Sequence, residues 1–359
     1  MWIKEKFFKY ATGTIAVLLI IFLFSKMDFV FIPVFRFMSI LFIPILISGL
    51  LYYIFRPIVR VAEKIHINKV LAIAAVFVIF IGIIFLIGSY AGSLIGNQFN
   101  QLIIDSPKIL QAGIDKITQL FTDFNLGASI NTTIEDQITG ALKNTFLIIS
   151  GGIVGTISTV STIVTTALMV PFILFYLLKD DSLISGKIID FIPEIYRKSA
   201  EEIMEETDKT ISVYIVGQAI IALLVGLFMY LGYLITGIPY PLILGLFALV
   251  TSIIPLIGSV IGAIPAILVA LATNPIMAIK VIILVVIVQV LTSNVISPYL
   301  IGKSLDIHPL TVILLFLVAA SIYGFIGMLI VVPVYAVFKI LAKNGLRIYR
   351  ITKTKKFEV

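Results

Sequence analysis

The sequence predicts an all-α integral membrane protein of about eight transmembrane helices, with a Pro/Gly-broken sixth segment and small amphipathic helical insertions on its outer and inner sides. Three observations lead there. Of the 359 residues 60% are hydrophobic and only 13% charged, with a mean hydropathy of +1.16, whereas soluble domains carry about a quarter charged residues. The apolar residues fall in runs of the length, about 20 residues, that a helix needs to cross a hydrocarbon core roughly 30 Å thick. The basic residues gather at the ends of those runs, so the net charge of +7 is a topology signal and implies no nucleic-acid partner.

The spans follow in order. Lys4, Lys6 and Lys9 precede a short first span, Thr12–Ser25, read as an uncleaved anchor because no small-residue cleavage site follows. Phe37–Phe55 and Val70–Leu94 complete an N-terminal unit of three spans, residues 1–95. Residues 96–145 read as an extracytoplasmic amphipathic insertion: Leu110, Ile114, Ile117, Leu120 and Phe121 recur at helical spacing between Asp105, Lys116 and Asp123. A fourth span, Phe146–Leu178, leads to a cytoplasmic acidic insertion, residues 179–210, with nine acidic against five basic residues. Its Glu201, Glu202, Glu205 and Glu206 alternate with Ile203, Met204 and Ile211 as on a solvated helix face, a reading that outweighs metal binding. Residues 211–342 hold four more spans, Ile211–Ile235, Pro241–Ala272, Ala278–Pro298 and Pro309–Phe338, before a basic cytoplasmic tail, 343–359. With both termini cytoplasmic, 20 of the 26 Lys and Arg residues lie inside, as the positive-inside rule requires.

Composition removes several chemistries. There is no cysteine, and His66 and His308 are the only histidines, so neither a thiolate nor an imidazole pair can hold a metal. No HExxH, nucleophile elbow, Walker loop or dinucleotide glycine pattern occurs, so the sequence points to no enzyme and no cofactor. The sequon at Asn131–Thr133 matters only in a glycosylating pathway. From Thr210 to Gly302 the one charged side chain is Lys280, and from Pro309 to Phe338 there is none. Proteins that keep ionisable groups in hydrocarbon generally use them for ions or protons; this core keeps no carboxylate. Asp180, Asp181, Asp306 and His308 sit at span ends and read as boundary residues in contact with water.

What remains is polar but neutral. Pro255, Gly258, Gly262 and Pro265 interrupt the sixth segment, which must kink or fold back as a hairpin. Backbone freed in this way must be buried in protein or line a watery cavity, and broken helices of this kind build substrate sites in transporters. A packing helix with a small-xxx-small contact between Gly258 and Gly262 is the plainer alternative. Gln289, Ser293 and Ser297 recur at i, i+4 and i+8 on the seventh span, with Thr292 and Asn294 close by. Joined by Thr251, Ser252, Ser259 and Gln218, they would line a hydrogen-bonding cavity suited to an uncharged polyol, or would bond neighbouring helices to one another.

Several stretches together resemble the autoinducer-2 exporter (AI-2E) family of bacterial membrane proteins: IPILISGLLYYIFRPIV from Ile43, IPEIYRKSAEEI from Ile192, YIVGQ from Tyr214, IPYPLILGLFALVTSIIPLIGSVIGAIPAILVAL from Ile238 and NVISPYLIGKSLDIHPLTVIL from Asn294. Pro255, Gly258, Gly262 and Pro265 match one block, Asn294, Pro298 and Gly302 the next, and His308 and Pro309 the third. One departure is Arg56, where many relatives carry Asn before the proline closing the second span. The resemblance implies an eight-span, homo-oligomeric transporter in the bacterial plasma membrane, with export of the quorum-sensing signal autoinducer-2 as its best-known proposed role. Sodium or lithium exchange for protons, in which Asp306 or an inner acidic residue would act, and a non-transporting scaffold, for example in sporulation, are the alternatives. The expected partners are therefore the lipid bilayer, a small polar solute and further copies of the chain.

Overall fold

The computed structural model describes residues 5–25, 27–123, 160–302 and 307–355, and all regular structure among these residues is helical. The elements are α1 (Glu5–Ser25), α2 (Asp28–Lys64), α3 (Lys69–Asp123), α4 (Val160–Lys179), α5 (Asp181–Asp190), α6 (Glu194–Thr236), α7 (Pro241–Thr251), α8 (Gly258–Thr273), α9 (Pro275–Leu291), a π turn (Thr292–Ile296), α10 (Ser297–Leu300) and α11 (Pro309–Lys355). Among the described residues five stretches are long and apolar enough to cross a membrane by length and composition: Ile32–Lys64, Lys69–Ile109, Glu194–Thr236, Pro275–Leu300 and Leu310–Gly345. Residues 146–159 of the expected fourth span, the sequon and the outer insertion beyond Asp123 lie outside the described residues.

Both insertions begin or end as extensions of a span. The acidic stretch from Glu194 is continuous with the expected fifth span in the 43 residues of α6, and the outer stretch up to Asp123 prolongs α3 to 55 residues, roughly 80 Å. That extension is used in packing. Ile109 is buried in the same apolar cluster as Val225, Met229 and Val281. Gln98 Oε1 accepts from the backbone N–H groups of Leu242 and Ile243, 3.2 Å each, so α3 caps the first turn of α7. Tyr240 donates to Asp105 Oδ2 at 2.6 Å, and this bond, with some burial, pushes its phenol up to about 12.

The sixth segment is a hairpin. α7 returns along α6, because Gly245 lies against Tyr230 and Gly226 against Leu249. α8 then reverses again and packs on α7 without room for side chains: a Cβ on Gly258 would stand 2.0 Å from Thr251 O, and one on Gly262 2.7 Å from Ala248 Cα. The small-xxx-small contact thus exists, within the hairpin. Pro265 lies buried inside α8.

The eighth span differs from expectation. Pro309–Phe338 is not one continuous helix, because Gly324 (φ 59°, ψ −140°) breaks α11 with non-helical angles. A Cβ on Gly327 would lie 2.3 Å from Ala319 O, although eight residues of unbroken helix span about 12 Å. Val312 and Val332 share one cluster with Phe316, Tyr214 and Ile215. α11 is therefore a second hairpin. Its open end meets α6 near Glu206, where Lys343 and Asn344 bind that carboxylate, whereas the α7/α8 hairpin starts from the Thr236 end. The two hairpins enter the molecule from opposite ends of α6.

At the Glu206 end a second departure appears. Asp181, expected in water, has a side chain only 13% exposed and pairs with Lys69 (2.6 Å), Arg56 (3.6 Å) and Arg60 (3.8 Å). Arg56 Nη1 also donates to both oxygens of Asp208 at 2.7 Å. Four helices, α2, α3, α5 and α6, are tied there by charge.

Candidate functional site

A cavity of about 480 Å³ lies where the α7/α8 hairpin, α6, the end of α9 and the arms of α11 meet. α6 contributes Tyr214, Gln218, Ile221 and Val225, spaced along one helical face. Ser252, Pro255 and Leu256 come from the hairpin tip and Ser259 from the first turn of α8. Gln289, Thr292, Ser293 and Ser297 come from α9, the π turn and α10. Gly302 (φ 59°) and Ile307 close one side, with Val312 and Val332 behind them. Among the described residues no formally charged side chain lines it.

The polar groups form two linked sets. Gln218, buried in α6, donates from Nε2 to Ser252 O at 2.7 Å and so holds the chain where α7 ends. Ser259 Oγ donates to Gln289 Oε1, and Gln289 Nε2 donates to Ser293 Oγ at 3.3 Å, which joins α8 to α9. Thr292 spends its hydroxyl on Val288 O (2.7 Å) in its own helix. Ser252 is 3% exposed, yet its Oγ is buried without a hydrogen-bond partner, which costs about 1–3 kcal/mol for an unsatisfied hydroxyl.

The local backbone is irregular on both walls. At the tip Leu256 has φ 66°, and Ile257 N donates across it to Pro255 O at 2.8 Å, a three-residue γ-turn that is strained for a non-glycine residue. Opposite, the π turn Thr292–Ile296 interrupts the helix, a distortion frequent at functional sites.

Of the residues expected from sequence, Gln218, Ser252, Ser259, Gln289, Ser293 and Ser297 converge on the cavity, as do Pro255 and Gly302. Two expectations need correction. Thr251 does not line the cavity; it donates back to Phe247 O (2.9 Å) and Ala248 O (3.2 Å) and packs against Gly262. Asn294 is exposed and does not line the cavity. Pro298 is exposed. His308 caps α11 ahead of Pro309: its Nδ1 accepts from Leu310 N at 3.3 Å, and its carbonyl accepts from Thr311 N and Val312 N. Asp306 lies outside the described residues. Tyr214, 4% exposed, is a cavity residue that sequence reasoning missed, though its place four residues before Gln218 was the available signal. Among the described residues no group of three or more His, Cys, Asp or Glu could hold a metal ion.

Comparison with known proteins now gives the geometry a family. The chain is 38% identical over 362 aligned positions to the "Putative transport protein YueF" of Bacillus subtilis (strain 168), covering 99% of this chain and 98% of that one. It is 29% identical to the "Putative transport protein YrrI" of the same organism, over 92% and 94% of the two chains. A more distant relative, the "Putative permease PerM" of Escherichia coli (strain K12), is 26% identical over 84% of this chain and 87% of its own. Residues 15–347 match the family described as AI-2E family transporter, and the protein, a multi-pass membrane protein, belongs to that family.

Proposed function

We propose that the protein moves a small, uncharged polar solute across the membrane through the cavity between the α7/α8 hairpin and α9, with export of autoinducer-2 as the specific reading. The supporting observation is a partly apolar lining whose polar groups are hydroxyls and amides, without formal charge among the described residues, set between two irregular backbone segments. Its volume lies within the range of about 300–1,000 Å³ usual for small-molecule sites. In this reading the eight expected spans become six crossings, α1, α2, α3, α4, α6 and α9, and two hairpins entering from opposite faces. Both termini remain cytoplasmic, in a bacterial plasma membrane, and copies of the chain assemble with one another. The neutral lining among the described residues supports this reading over sodium and proton exchange through groups of the cavity wall, since ion sites use convergent carboxylates or carbonyls.

The test is flux in liposomes holding the purified protein, following autoinducer-2 together with internal pH and sodium. Gln289→Ala removes the amide that joins Ser259 to Ser293 and is expected to lower solute flux at least tenfold. Asn294→Ala, outside the cavity, should leave it near wild type. Ion exchange without solute movement would overturn the reading in favour of an antiporter, and inactivity toward every probe would favour a scaffold.

A further inference from the structure

The hairpin has stiff arms and an uneasy tip. Its arms are in close contact with each other at Gly258 and Gly262, and with α6 at Gly226 and Gly245, where added Cβ atoms would stand 2.0–2.8 Å from neighbouring atoms. Rocking the hairpin as a body would open the contacts with α6 at Gly226 and Gly245, while those at Gly258 and Gly262 hold its two arms together. The tip, Ser252–Ile257, carries two unrelieved features within five residues. Leu256 holds φ 66° with its own side chain 47% exposed. Ser252 Oγ is buried and unpartnered in a region otherwise rich in hydroxyls and amides.

We infer that the tip Ser252–Ile257 is the moving gate of the cavity and that the Ser252 hydroxyl is held for an acceptor oxygen of the solute. Because Oγ is buried, a solute reaches it only when the tip shifts, and the same shift lets Leu256 leave its left-handed conformation. Gln218 keeps hold of Ser252 O during that movement, which makes it the pivot. The recognised chemistry is an uncharged molecule bearing hydroxyl or carbonyl oxygen, since the described residues of the wall supply hydrogen bonds and no counter-charge. This inference rests on the transport reading above.

Ribitol, a neutral polyol, serves as the probe, with the full chain in liposomes and in detergent. Ser252→Ala is expected to raise the KM for ribitol about tenfold and to leave thermal stability without ribitol unchanged or higher, because a group without a partner is removed. Leu256→Gly accepts positive φ at no steric cost, so it removes the strain that favours the shifted tip and should lower the maximal rate severalfold without loss of stability. Maleimide labelling of Ser252→Cys should be slow alone and change on adding ribitol. Wild-type kinetics in both variants, a stability loss in ribitol-free Ser252→Ala, or labelling indifferent to ribitol would each overturn the inference. If ribitol flux persists in wild type and falls in Gln289→Ala while the tip variants behave normally, the gate fails and the transport reading stands. If wild type moves no polar solute and labelling is indifferent, both fail.

Discussion

Gln289 uses both ends of its amide on serines of different segments, accepting from Ser259 and donating to Ser293. That stripe was legible in the sequence because i, i+4 spacing is a property of one helix, and the π turn did not move Ser293 or Ser297 off the cavity. Thr251 and Asn294 were misplaced for the opposite reason. Which side of a short helix faces a cavity depends on its packing partner, and Thr251 is turned toward Gly262 by the return of α8. Gly262 makes the cost of that packing measurable. Its Cβ position is 2.4 Å from Thr251 Oγ1 and 2.7 Å from Ala248 Cα, so Gly262→Ala overpacks the hairpin and should cost about 1–3 kcal/mol. A thermal midpoint equal to wild type in detergent would count against so tight a contact.

The elements were legible as apolar runs, and their breaks only in part. Proline and glycine at 255–265 marked the first hairpin, because a missing N–H and a missing Cβ act wherever they occur. The second went unread. Gly324 stands in a run without charge or proline close by, and only its backbone angles show the reversal. Gly324→Ala is expected to lose about 1–3 kcal/mol, since that conformation suits little but glycine; no atom lies within 4 Å of the added Cβ, so the loss would come from the backbone alone. Restoring stability with a D-alanine at 324 in a semisynthetic chain would identify that cause. The start of α7 depends on a side chain from another helix, Gln98. Gln98→Leu leaves two N–H groups without that acceptor and should cost about 1–3 kcal/mol, seen as faster amide exchange at Leu242 and Ile243.

At the scale of the molecule, charge is concentrated at one end. Asp181 binds three cations on α2 and α3, and Arg56 links that group to Asp208 on α6. Removing the carboxylate from this partly buried set takes away an acceptor shared by Lys69, Arg56 and Arg60, so Asp181→Ala should cost about 1–3 kcal/mol. Glu206→Gln breaks a pair with Lys343 whose side chains are 44% and 74% exposed, and should change stability little. Equal midpoints for the two variants would show that the Asp181 group is not a structural tie. Hydropathy and charge bias by themselves determined the membrane class, the approximate spans and the polar stripe, because these are sums over neighbouring residues. The tertiary structure alone decided that the sixth segment folds back, that α11 reverses at Gly324, that Asp181 is enclosed by cations, and that six of the expected polar residues share one cavity. Those outcomes depend on contacts between residues far apart in the chain, and no local periodicity carries that information.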